Sequence, residues 1–113
     1  MADPEGRVTL WGIEVFLAAA EEGSISAAAR RLGASVSTVS QQLSGLESTL
    51  GAQLFDRGAR PVRLTSAGMV LRRHAQVMVS AAHAAQTELT MSDLTGIGSL
   101  RLGVIEGLDA DVP

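Results

Sequence analysis

The chain contains no cysteine and no lysine among its 113 residues. Without cysteine there can be no disulfide, no thiolate metal site and no thiol nucleophile. Tyrosine is also absent, and the aromatics are one tryptophan and two phenylalanines. Alanine, leucine and valine must therefore fill most of any core, and Ala and Leu are strong helix formers, so a mainly helical fold is expected. The only histidines are His74 and His83, which do not share a helical face, so neither a metal pair nor another cofactor is expected. No apolar run reaches the roughly 18 residues of a membrane helix, and the opening MADPEGR has no apolar signal core. A location in the cytoplasm, away from membranes, is the expectation. Paired carboxylates at a useful spacing and a glycine-rich phosphate loop are both missing, so no enzyme chemistry is supported. The length suits one small domain with an extension rather than two full domains.

What is present is an uneven distribution of charge. The net charge of −3 conceals a basic middle: residues 23–73 carry seven arginines against Glu47 and Asp56. For a polyanionic partner the local patch counts more than the total.

Apolar residues Leu10, Ile13, Phe16, Leu17 and Ala20 recur at helical spacing, and Gly23 ends that first helix. Ser24 or Ser26 can cap a short second helix through Ala27, Ala28, Ala29 and Leu32, which Gly33 ends. Ser35 caps a third helix over residues 36–50. Val39, Leu43, Leu46 and Leu50 form its buried stripe, and Gly51 stops it. A short helix, a turn and a longer helix form the layout of a helix-turn-helix. The stripe leaves Ser37, Thr38, Ser40, Gln41, Gln42 and Ser44 to face outward. These uncharged hydrogen-bonding side chains suit base edges in a major groove.

LFDRGARPVRLT, residues 54–65, reads as two short strands around a Gly/Pro turn. A hairpin placed there is a wing, over about residues 56–62, with Arg60 beside Pro61 at its tip. Such an arginine suits phosphates or a narrow minor groove. Thr65 or Ser66 caps a fourth helix running to about Ser92, on the order of 40 Å long. Leu71, Ala75, Met78, Ala82, Ala85 and Leu89 repeat along it at spacings of four and three. That heptad seam predicts a dimerisation helix. Gly96-Ile97-Gly98 reads as a hinge. Ser99 to Ile105 reads as a lone strand, which needs partners, and is expected to open a further domain. The expected division is 1–65, 66–95 and 96–113.

Together these motifs resemble the N-terminal part of LysR-type transcriptional regulators. The resemblance rests on Gly23-Ser24 before Ala27-Ala28, Val39-Ser40-Gln41-Gln42, Leu46-Glu47, Leu50-Gly51, Leu54-Phe55, Arg57, Leu64-Thr65 and Ala67-Gly68. It implies a winged helix-turn-helix with a long linker helix, and sequence-specific binding of double-stranded DNA. It also implies a homodimer, a possible tetramer of the full-length protein, and a small-molecule inducer held in a further effector domain. By position, base and phosphate contacts fall on Ser37, Ser40, Gln41 and Arg60. Ser26, Ser35, Val36, Thr38, Gln42, Arg57 and Pro61 complete the candidate DNA-binding set. The sequence departs from the family at Val36-Ser37, where Gln-Pro is common. Val36 cannot hydrogen-bond a base, though it can touch a thymine methyl. Glu47 is expected to be structural, paired with Arg57 or Arg30. Two alternatives stand beside this reading. One is a helical docking module without specific DNA binding, which the acidic total favours. The other is a winged helix of the molybdate-responsive type, against which the missing glycine-rich wing argues.

Overall fold

The computed structural model describes residues 7–96, with side chains as far as Met91. The anticipated strand at Ser99–Ile105 and the Ile97-Gly98 part of the hinge lie outside the described residues. The element order is α1 (Leu10–Glu22), α2 (Ile25–Leu32), α3 (Val36–Leu50), β1 (Phe55–Asp56), β2 (Arg63–Leu64) and α4 (Ser66–Gly96).

Local chemistry sets the helix boundaries. The hydroxyls of Thr9, Ser24 and Ser35 accept from the N–H groups of Gly12, Ala27 and Thr38 at 3.0, 3.1 and 3.0 Å. Each thus satisfies an N–H that the first helical turn leaves open. Ser24, rather than Ser26, caps α2. At the other ends, Gly23, Gly33 and Gly51 take left-handed conformations that close α1, α2 and α3. Thr65 precedes α4, its carbonyl accepting from the Met69 N–H at 2.9 Å, and makes three further bonds. Its N–H donates to the Leu54 carbonyl (3.0 Å), its hydroxyl donates to the Gln53 carbonyl (2.6 Å), and that oxygen accepts from the Gly68 N–H (3.1 Å). Gly68 lies so close to Leu54 that a Cβ there would collide with the Leu54 carbonyl. Thr65 and Gly68 therefore fix the start of α4 against the base of the hairpin.

The chain divides into two compact units, one ending at Val79 and one beginning at Ser80. The core of the first gathers Ile13, Phe16 and Leu17 from α1, Ala28 and Ala29 from α2, and Val39, Leu43 and Leu46 from α3. Leu54 and Phe55 close it from the hairpin, with the Phe16 and Phe55 rings 5.4 Å apart and tilted by 53°. Burying side chains of this size stabilises the domain by about 1.5–3 kcal/mol each. The two-stranded sheet is antiparallel, with Phe55 opposite Leu64 and Asp56 opposite Arg63.

α4 enters this core as well. Ala75 is completely buried there, and Leu71 and Val79 pack against the same cluster. Two members of the anticipated dimerisation seam, Leu71 and Ala75, are thus engaged by their own domain. In the second unit the helix continues to Gly96, four residues past Ser92, and its side chains from His83 to Met91 are exposed. Ala85 and Leu89 are among them, while Ala82 is half-buried.

Candidate nucleic-acid interface

α3 turns a continuous polar face outward. Ser37, Gln41, Ser44 and Ser48 are exposed, and Ser40 is half-buried at its edge. These positions follow the helical repeat, so one face carries four hydroxyls and an amide. Ser48 belongs to this face although its neighbours Leu46 and Leu50 draw attention to the apolar stripe. Continuing the Ser37, Gln41, Ser44 progression would have found it.

Thr38 and Gln42, also expected on the outward face, lie on the opposite flank of α3. Ser35 is an exposed cap whose hydroxyl donates to Thr38 Oγ1 at 3.0 Å, so Thr38 completes the helix start. Gln42 is turned toward α1, with Oε1 3.5 Å from where a Cβ on Gly12 would stand. It lines a cleft of about 290 Å³ with Thr9, Trp11, Gly45 and Thr49. The cause is geometric: a step of about 100° per residue carries positions 38, 42 and 49 to the side away from 37, 41, 44 and 48.

The wing is shaped by its own polar atoms. Asp56 Oδ1 accepts from the Gly58 N–H at 3.0 Å, and the Asp56 carbonyl accepts from Ala59 at 3.4 Å. The returning strand is tied to the α1–α2 corner, since the Val62 N–H donates to the Gly23 carbonyl at 3.0 Å. Pro61 packs against Gly23, its Cβ 3.0 Å from where a Gly23 Cβ would be. A cleft of about 370 Å³ results, lined by Gly23, Ser24, Ile25, Ser26, Arg60 and Val62. Ser26 and Arg60, distant in sequence, meet in it, and both are exposed. The open N–H groups and partial positive charge of a helix start favour an anion at such a place.

The arginines separate into two kinds. Arg31 Nη1 lies 2.7 Å from Glu21 Oε1 and 3.4 Å from Glu22 Oε2. Its hydrogen bond to Glu21 is the main cause raising its pKa further. Arg57 Nη2 lies 3.2 Å from Glu47 Oε1, while Glu47 Oε2 accepts from the Leu54 N–H at 2.8 Å. Of the two partners anticipated for Glu47, the structure selects Arg57. The same contact commits Arg57, a candidate for DNA, to holding the hairpin on α3. Arg30, Arg60 and Arg63 are exposed and have no ion-pair partner among the described residues.

A uniform polar helix face, an arginine-tipped wing and the exposed start of another helix are parts that can meet the groove and the backbone of a duplex. Known helix-turn-helix proteins share this arrangement. A family model for bacterial regulatory helix-turn-helix proteins of the lysR family matches residues 10–69. A probable hydrogen peroxide-inducible genes activator of Mycobacterium xenopi is 42% identical over 105 residues, 93% of this chain and 56% of the relative. The chain therefore spans little more than half of that relative's length. The structure of Vibrio fischeri DarR in complex with DNA superposes with a TM-score of 0.73 at 31% identity, covering 82% of this chain and 31% of that protein. The BenM DNA-binding domain in complex with benA site 1 DNA gives a TM-score of 0.71 at 31% identity, covering 74% of this chain and 98% of that domain.

Proposed function

The chain belongs to the lysR family of bacterial regulatory helix-turn-helix proteins, and from that premise we propose that it regulates transcription by binding specific double-stranded DNA sites. α3 lies in the major groove, where Ser37, Ser40 and Gln41 meet base edges. Arg60 at the wing, with Ser26 at the start of α2, holds the phosphate backbone or reaches the minor groove. The observation that carries this reading is the exposed Ser37–Gln41–Ser44–Ser48 face of α3, together with the cleft that brings Arg60 to Ser26. Arg30, Arg60 and Arg63 are exposed despite the acidic total, and Arg60 stands at that cleft.

Two copies pair through α4, chiefly by Met78, Ala82, Ala85 and Leu89, because Leu71 and Ala75 are engaged in the domain core. Residues 1–65 then form the DNA-binding part, 66–95 the linker and 96–113 the entry to an effector domain that holds a small-molecule inducer. The full-length protein would work as a dimer or tetramer in the cytoplasm. No helix among the described residues is long and apolar enough to cross a membrane.

Selection of duplexes from a random DNA pool with the purified chain tests the reading. A site with two dyad-related halves is the expected product. Retention of DNA without any sequence preference, lost at moderate salt, would reduce the interaction to non-specific electrostatics and overturn it.

A further inference from the structure

We propose that Val36 is a specificity-determining residue that recognises the C5 methyl group of a thymine in the DNA site; this rests on the placement of α3 in the major groove. Val36 is the first residue of α3 and is 49% exposed. The other valine of the helix, Val39, is completely buried, as is Leu43. Val36 is thus left out of the core that takes its apolar neighbours. One turn on from Val36, at i+4, Ser40 stands half-buried at the edge of the polar face that Ser37 and Gln41 occupy. The other exposed large apolar residue of α3, Leu50, stands at the far end of the helix.

The N-terminal residues of a recognition helix are the ones that meet base edges. Among the four bases, only thymine presents an apolar group in the major groove, its methyl. An isopropyl side chain has no donor or acceptor and cannot select guanine, adenine or cytosine by pairing. It can select thymine by covering that methyl. Ser37 and Gln41 then supply hydrogen bonds to neighbouring bases.

Deoxyuridine keeps every hydrogen-bonding group of thymine and lacks only the methyl, so it isolates the contact. Each thymine of the selected site is replaced singly by deoxyuridine, and affinity is measured for the native chain and for Val36→Ala and Val36→Gln. One replacement should weaken native binding about fourfold, the equivalent of one buried methyl (~0.8 kcal/mol). Val36→Ala should bind both versions nearly alike, and Val36→Gln should change the preferred base at that position alone. Specific binding that no deoxyuridine replacement weakens would overturn the role of Val36 and leave the proposed function standing. Absence of any specific site would overturn that function and this inference together.

Discussion

Arg57 and Arg60 stand on the same hairpin and are expected to respond differently to mutation. Arg57 is paired with Glu47, which is only 15% exposed and also takes the Leu54 N–H. Glu47→Ala removes the acceptor of that part-buried N–H and should destabilise the domain by about 1–3 kcal/mol. Arg57→Ala removes the more exposed partner of the pair, 43% exposed, and leaves Glu47 its Leu54 N–H, so it should cost less, about 0.2–1 kcal/mol. Thermal unfolding of the two variants checks the order, and an equal loss would deny Glu47 its second role. Arg60→Ala should leave stability unchanged. It should weaken binding to every DNA sequence and lower the slope of log K against log salt by about one. An unaltered slope would remove Arg60 from the phosphate backbone. Gln41→Ala should cost roughly 1–3 kcal/mol on the selected site and little on random DNA.

At the scale of elements, the corner between α1 and α2 governs where the wing sits. Gly23 has φ 67° and also lies beneath Pro61, while Gly51 has φ 68° and open space around it. Gly51→Ala should therefore cost only the left-handed conformation, about 1–2 kcal/mol. Gly23→Ala should cost more, because Pro61 must also move, and DNA affinity should fall with it. Urea titration alongside a binding assay separates the two. The boundaries of these helices were legible in the sequence because serine and threonine caps and left-handed glycines act through atoms only a few residues away. The wing was legible for the same reason, since its turn is made by Asp56, Gly58 and Pro61 themselves. The face of α3 was legible only in part: polar residues occupy both flanks, so composition could not separate Gln41 from Gln42. That separation depends on α1, whose Gly12 receives Gln42. The choice of Arg57 over Arg30 likewise depends on the hairpin folding back onto α3.

For the whole molecule the decisive question is how α4 divides its apolar surface. A spacing of four and three reads the same whether the partner is the helix's own domain or a second copy, which is why Ala75 and Ala82 looked equivalent. Ala75 is buried in the domain core, and a charge there would unfold it. Farther along, Leu89 is 66% exposed and Ala85 is exposed as well, an arrangement a second copy can cover with close helix packing. Ala82→Glu should therefore split the proposed dimer into monomers in sedimentation while the far-ultraviolet dichroism stays native. The monomer should still hold DNA weakly, because each domain keeps α3 and Arg60. It should lose the steep preference for a site with two halves, because that preference comes from linking two modest contacts in one particle. A dimer that survives Ala82→Glu intact would place the pairing surface elsewhere on the chain. A monomer that kept full affinity for the two-half site would mean that the two domains do not bind as a linked pair.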